Sequence, residues 1–312
     1  MQQIFLLTKK LGKRWLNVFK KNYFVLVLLL GLAILLTGCQ TLQKVNEFSA
    51  ASVLPQDADL YVRLPVKTNS ALCKTLLKAY MPDLDESAQE KLIVSANTVF
   101  AAVKTEENGK KSVNIAVEGK FPFYTNFVLT DKNGWSKANK KEGNIKYTYY
   151  VHDTGFQLAI PTGNIAVLSS DSVLPMLQAC ENNVMNNIYG VDEVSKREAL
   201  LTSNIDSAAF YSENPKAFIK SIIGLDFSFG IAEAGGVLTS KSSSGATGVD
   251  YNLDLDLVLS EPRGIKATTF IVKTLFSAIS KDIVIEQKGD DTLSCNNITV
   301  SENSVLSLVM GK

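Results

Sequence analysis

The sequence predicts an α+β fold made of two tandem repeats of an antiparallel sheet packed by helices. Three observations lead to it. Short segments such as "SVNIAVEGKFP" and "YNLDLDLVLSEP" alternate apolar with polar or small residues, the period-2 signature of a strand with one buried face. Turn dipeptides and Ser/Gly runs separate the strands, which indicates hairpins and antiparallel pairing. The same order of phrases then occurs twice along the chain.

The first half opens with "DADLYVRLPV" (Asp57 to Val66), a strand, and then "NSALCKTLLKAYM", a helix with Asn69 expected as its N-cap. The second opens with "DSAAFYSE" (Asp206 to Glu213) and "NPKAFIKSIIG", where Asn214 caps, Pro215 takes the first helical position and Gly224 closes the helix. A hairpin follows in each half. Asn108-Gly109 supplies a type I′ turn in the first, and the run Ser240 to Gly248 a longer loop in the second. Val113, Ile115 and Val117 alternate in one returning strand, as Leu253, Leu255 and Leu257 do in the other. Pro122 and Pro262 stand nine residues after Val113 and Leu253, and each opens a helix. In the second of these, Ile265, Thr269, Val272, Phe276 and Ile279 fall near one face.

Two strands come next in the first half, "NIKYTYYVHD" and "FQLAIP", with "DIVIEQKGD" and "DTLSCN" as counterparts. Each half closes on a near-identical phrase. "NIAVLSSDSVLPML" (Asn164 to Leu177) stands against "NITVSENSVLSLV" (Asn297 to Val309), each a strand leading to a short helix from about Ser172 or Ser304. The offset between matching phrases drifts from 149 to 133 residues, the behaviour of a duplication with small deletions. The sequence leaves open whether the two sheets stay separate or join.

The front of the chain is of another kind. Residues 1–22 carry six basic residues and no acidic one, and Tyr23 to Leu36 is a fourteen-residue uncharged run. A basic stretch, a short apolar core and a small-residue cleavage site make a secretory signal. A spanning helix needs roughly 20 apolar residues. The run ends in Leu36-Thr37-Gly38-Cys39, which resembles the lipobox of bacterial lipoproteins. That resemblance implies cleavage between Gly38 and Cys39, and acyl chains on the Cys39 thiol and N-terminus. At about 0.8 kcal/mol per buried methylene, two or three chains hold a protein firmly on a membrane. By the same resemblance Gln40, where an Asp would signal inner-membrane retention, favours the outer membrane. The expected organisation is a signal peptide at 1–38, an acylated end and tether at 39–54, a first repeat at 55–190, a linker at 191–203 and a second repeat at 204–312. The mature part also resembles exported bacterial domains of unknown function whose halves begin with an "LP-x-D-A" phrase, here "LPQDADLYV". No activity and no site residue follow from that resemblance.

Loss of residues 1–38 removes six of 32 basic residues and none of 31 acidic ones, so the whole-chain charge of +1 becomes 26 − 31 = −5. A mildly acidic protein has no electrostatic footprint for nucleic acid. Cys73, Cys180 and Cys295 sit among apolar neighbours and read as buried free thiols without metal-ligand spacing.

Catalytic signatures are sparse. The one histidine, His152, lies at a strand end beside Asp153, and it is expected at the surface. There is no HExxH, P-loop, GxGxxG, GxSxG or CxxC. Asp254 and Asp256 share a strand face, a spacing that admits a metal, but Asn114 and Ala116 replace them in the first half, so a solvated face explains them better. "LDFSFGIAEAGGVL" and "KYTYYVHD" could each be an exposed sticky surface, although core packing accounts for both. The expectation is therefore a non-enzymatic, membrane-anchored binding or structural lipoprotein with no cofactor and no metal. Its partners would be the membrane, through Cys39, and an envelope protein. The alternatives are a cell-envelope hydrolase using paired carboxylates and a solute-binding lipoprotein. The largest pocket would discriminate, an apolar groove favouring lipid or peptide.

Overall fold

The structure is a computed structural model, and it describes residues 48–81, 84–106, 110–122, 129–189, 201, 206–215, 230–241, 250–261, 264–277 and 282–305. Cys39 and the rest of the signal and tether up to residue 47 lie outside them, as do the Asn108-Gly109 turn, the Ser/Gly loop at 242–249, the helix expected after Pro122 and all but the first residue of that expected after Asn214.

Seven strands come from the first half: β1 (Leu60–Pro65), β2 (Ala96–Thr105), β3 (Lys111–Gly119), β4 (Trp135–Glu142), β5 (Ile145–His152), β6 (Gln157–Thr162) and β7 (Ile165–Ser169). Five come from the second: β8 (Ala208–Ser212), β9 (Ile231–Lys241), β10 (Asp250–Leu259), β11 (Val284–Lys288) and β12 (Thr292–Ser301). They join into one sheet in the order β11-β12-β10-β9-β8-β1-β2-β3-β7-β6-β5-β4. Every pairing is antiparallel. The halves meet at β1 and β8, where Tyr61, Val62 and Arg63 lie opposite Tyr211, Phe210 and Ala209. Side chains reinforce that seam: Arg63 Nη2 donates to Ser207 O at 2.8 Å, and Ser212 Oγ to Asp59 O at 2.6 Å.

The sheet has two coated faces. On one, Leu60 and Leu64 of β1, Phe210 of β8, Leu253, Leu255 and Leu257 of β10 and Leu293 of β12 share a core. It is covered by α1 (Ser70–Tyr80), α2 (Glu86–Ser95) and α4 (Ile265–Ser277), with α3 (Leu174–Tyr189) on the other face. That other face buries Tyr61, Phe100, Ala116 and Val167 under α3 and a 3₁₀ turn, Ala50–Val53. Ala50, Ala51 and Val53, within the stretch expected as tether, are buried there. Along α4, Ile265, Val272 and Phe276 face the core as the spacing predicts, joined by Thr268.

Several local readings need correction. Asn69 stands at the start of α1 but its side chain does not cap it. The buried amide instead donates to Pro65 O and Thr68 Oγ1, both at 3.0 Å, satisfying a carbonyl at the end of β1. "DTLSCN" is no separate strand: it runs on into "NITVS" as β12, with a register shift opposite Leu253/Leu255 and Asn297 at φ 65°. The helix after β7 has 16 residues, longer than expected. The helix after β12 starts at residue 302, two residues early, where Ser301 Oγ accepts from Ser304 N at 3.2 Å. "WSKANKKE" forms β4, which has no apolar alternation to reveal it.

Candidate functional site

Where α1 and α2 cross β1, β2, β3, β6 and β7, the packing is incomplete. A cavity of about 180 Å³ lies between helices and sheet, lined by Val62, Leu76, Ile93, Val99, Ile115 and Leu168 among others, all of them apolar. A smaller cavity of about 50 Å³ shares Met81, Leu92, Phe121 and Leu158 with it and reaches Trp135 at the root of β4.

The local sequence explains the opening. Leu72, Cys73, Leu76 and Leu77 put one apolar stripe of α1 against the sheet, with Lys74 and Lys78 turned outward. In α2, Asp85 caps the first turn through Ala88 N at 2.8 Å, and Leu92 and Ile93 point inward. No side chain of α2 is fully buried, and Val94 is 78% exposed. The link between the two helices nearest the surface is the exposed Lys74–Glu90 pair at 3.4 Å, which adds little stability. The floor is made of small residues, Val62, Val99, Ala101 and Ala166, that do not reach the roof. Ile115 and Val117 are only half-buried because they line this space, whereas Ala116, on the opposite face, is fully buried.

Such a wall offers dispersion contacts and nothing to move a proton. Its side-chain heteroatoms are the Met81 thioether and the Cys73 thiol, and burial pushes the thiol up to about 12. A dry apolar cavity of 150 Å³ holds a benzene-sized guest. This one has room for a group of similar size.

The residues singled out in the sequence stand elsewhere. His152 is 5% exposed, a correction to the surface reading. Its ring lies 4.8 Å from that of Trp135, which faces it across β4 and β5. His152 Nδ1 accepts from Thr154 N at 3.2 Å and pairs with Thr154 Oγ1 at 2.7 Å, so it is tied into its own turn. Asp254 accepts from Asn297 N at 3.0 Å and so supports the irregular point of β12, and Asp256 pairs with Lys288 at 3.1 Å. Among the described residues no cluster of His, Cys, Asp and Glu could hold a metal. The displaced carboxylates, Asp57 and Asp171, are held low by hydrogen bonds from Lys104 and Lys110. Cys73, Cys180 and Cys295 are all buried and free. Tyr147 and Tyr149 lean on α3; of the Leu225–Leu238 segment, residues 231–238 lie within β9 with Ala234 and Leu238 buried, and residues 225–229 lie outside the described ones. The cavity was not visible in the sequence. Small residues recurring on one face of β1, β2 and β7 under short helices are the only trace of it.

Fold and cavity together describe an α+β protein built on one antiparallel sheet with an apolar chamber. Residues 45–306 match the family described as outer membrane-associated lipoprotein TP0453, and the chain belongs to that family. It is accordingly a lipid-anchored protein of the cell envelope, associated with the outer membrane. The solved structure titled "Structure of crystal form I of TP0453" is similar at a TM-score of 0.61 and 17% identity, over 85% of this chain and 98% of that chain. At that identity the likeness speaks to the fold. No curated protein sequence matches the chain. No described helix is long and apolar enough to cross a membrane.

Proposed function

We propose that the chain is a non-catalytic lipoprotein, anchored through acyl chains on Cys39 after cleavage at Gly38, whose cavity shelters the acyl chain of a lipid. The observation that carries this reading is the all-apolar wall of the 180 Å³ cavity beneath the lightly packed helix α2. The lipobox and the family's lipoprotein character support the anchor. The strand order supports a duplicated unit: read outward from the β1·β8 seam, β2, β3 and β7 take the places of β9, β10 and β12. The chamber lies in the first half.

Displacement of a fluorescent fatty acid by phospholipid tests the binding role. Ala101→Phe fills the floor of the cavity. Losing about two buried methylenes of guest, at ~0.8 kcal/mol each, weakens the probe about tenfold. Unchanged affinity in Ala101→Phe would remove the cavity from the function. Cys39→Ala tests the anchor: the product should be an uncleaved precursor without lipid mass.

A further inference from the structure

The β4–β5 hairpin is an arm. β5 pairs with β6 only through Tyr150 and Val151, while β4 and β5 stay paired out to Glu142 and Ile145. Gly143, with φ 60°, supplies the positive φ that a two-residue II′ loop needs in its first position. One face of the arm is braced from behind: Tyr147 Oη donates to Glu181 Oε2 of α3 at 2.8 Å, and Gln178 of α3 bonds Glu142. The opposite face carries Lys137, Asn139 and Lys141 on β4, and Lys146, Thr148 and Tyr150 on β5.

That face is basic in an acidic protein. The arm holds four lysines and one glutamate in a mature chain of charge −5. Lys140 pairs with Glu142 at 3.1 Å, whereas Lys137, Lys141 and Lys146 are exposed and have no carboxylate partner among the described residues. Lys141 lies directly opposite Lys146, a like-charge cross-strand pair that destabilises the hairpin unless an anion meets it. The face is also continuous with the cavity. Ile115, Leu168, Leu158, Tyr150 and Lys137 form one lateral row of register partners across β3, β7, β6, β5 and β4. At about 4.8 Å per strand, Lys137 stands about 10 Å from Leu158 of the cavity wall.

We propose that Lys137, Lys141 and Lys146 dock the protein on the anionic headgroups of a phospholipid surface, which sets the cavity beside the layer that supplies its acyl chain. This rests on the acyl-binding reading of the cavity. Even fully extended, the chain from Cys39 to Phe48 could span only about 30 Å, so the anchor proposed at Cys39 confines the domain to the neighbourhood of its bilayer. β4 is the sheet edge, with no strand beyond it among the described residues. Each lysine at an anionic surface adds a factor of about five, so three favour the arm-down orientation about a hundredfold at low ionic strength.

The test is a lysine-acetylation footprint read by mass spectrometry. The full acylated protein is held by its own anchor on vesicles of phosphatidylcholine, alone or mixed equally with phosphatidylglycerol. Labelling of Lys137, Lys141 and Lys146 should fall severalfold on the mixed vesicles alone and recover in high salt, while Lys288 stays unchanged. Equal labelling on both vesicles, or protection that salt does not reverse, overturns the proposal. In the triple variant Lys137→Gln, Lys141→Gln and Lys146→Gln, amide exchange in the arm should lose its dependence on phosphatidylglycerol, and retained dependence also overturns it. The variant's affinity for the fluorescent fatty acid should equal the parent's, which separates failure of the docking surface from failure of the cavity.

Discussion

Tyr61→Phe isolates what holds the "LPQDADLY" phrase at the centre of the sheet. Tyr61 is 0% exposed on β1. Its hydroxyl donates to Pro55 O at 2.8 Å and accepts from Ala58 N at 3.1 Å. Phenylalanine keeps the ring and deletes both bonds. Each bond contributes about 1 kcal/mol net, and the Ala58 N–H left without a partner in a buried turn adds about 1 kcal/mol more. The expected loss is about 2–3 kcal/mol. For a domain of this size that lowers Tm by about 6 °C. Urea unfolding followed by circular dichroism measures it, with an unchanged m-value showing that the folded state is otherwise intact. A loss below about 0.5 kcal/mol would mean that water takes over both partners and that the hydroxyl does not organise the turn.

Two further outcomes are expected. Gly236→Ala should destabilise by about 1–3 kcal/mol in the same assay, because the added Cβ would stand 2.5 Å from Asp254 O and 2.8 Å from the Phe210 ring, between paired central strands. Burial pushes the thiols of Cys73, Cys180 and Cys295 up to about 12, so all three remain neutral well past pH 8. An aromatic disulfide reagent at pH 8 should therefore label none of them in the folded protein and all of them in guanidinium chloride.

What could be read from the sequence follows from how many neighbours each element has. β10 alternates cleanly because one of its faces is core and the other carries Asn252, Asp254 and Asp256. β3 has both faces covered, so Ala116 is as buried as any leucine and the alternation of Val113, Ile115 and Val117 tells half the story. β4 was invisible because Lys137, Lys140 and Lys141 are arm and edge residues, held in place by pairing with β5 and not by their own burial. His152 is buried for the same reason: a strand end is exposed only when no neighbour covers it, and the neighbour is Trp135 of β4. The lipobox was legible because a peptidase reads it as a linear string. The cavity was not, since it depends on volumes contributed by β1, α1, α2, β2 and β7 at once.

The difference between the halves gives the cavity its functional weight. On the same sheet face, the second half sets Leu253, Leu255 and Leu257 under Val272 and Phe276 of α4, and all five are buried in a closed core. The first half offers Val113, Ile115 and Val117 in the corresponding strand, beside Val99 and Ala101, beneath a helix that buries none of its residues completely. Voids cost stability roughly in proportion to their volume, about 24 cal/mol per Å³ where an engineered series measured it. By that measure an empty 180 Å³ chamber costs about 4 kcal/mol, a large share of a domain's net stability of about 5–15 kcal/mol. Among the described residues, the second half packs this face with leucines. On the proposed reading, an acyl chain from the adjoining membrane restores the missing contacts. The chamber under α2 is the feature on which the proposed acyl binding rests, and Ala101→Phe is the substitution that tests it.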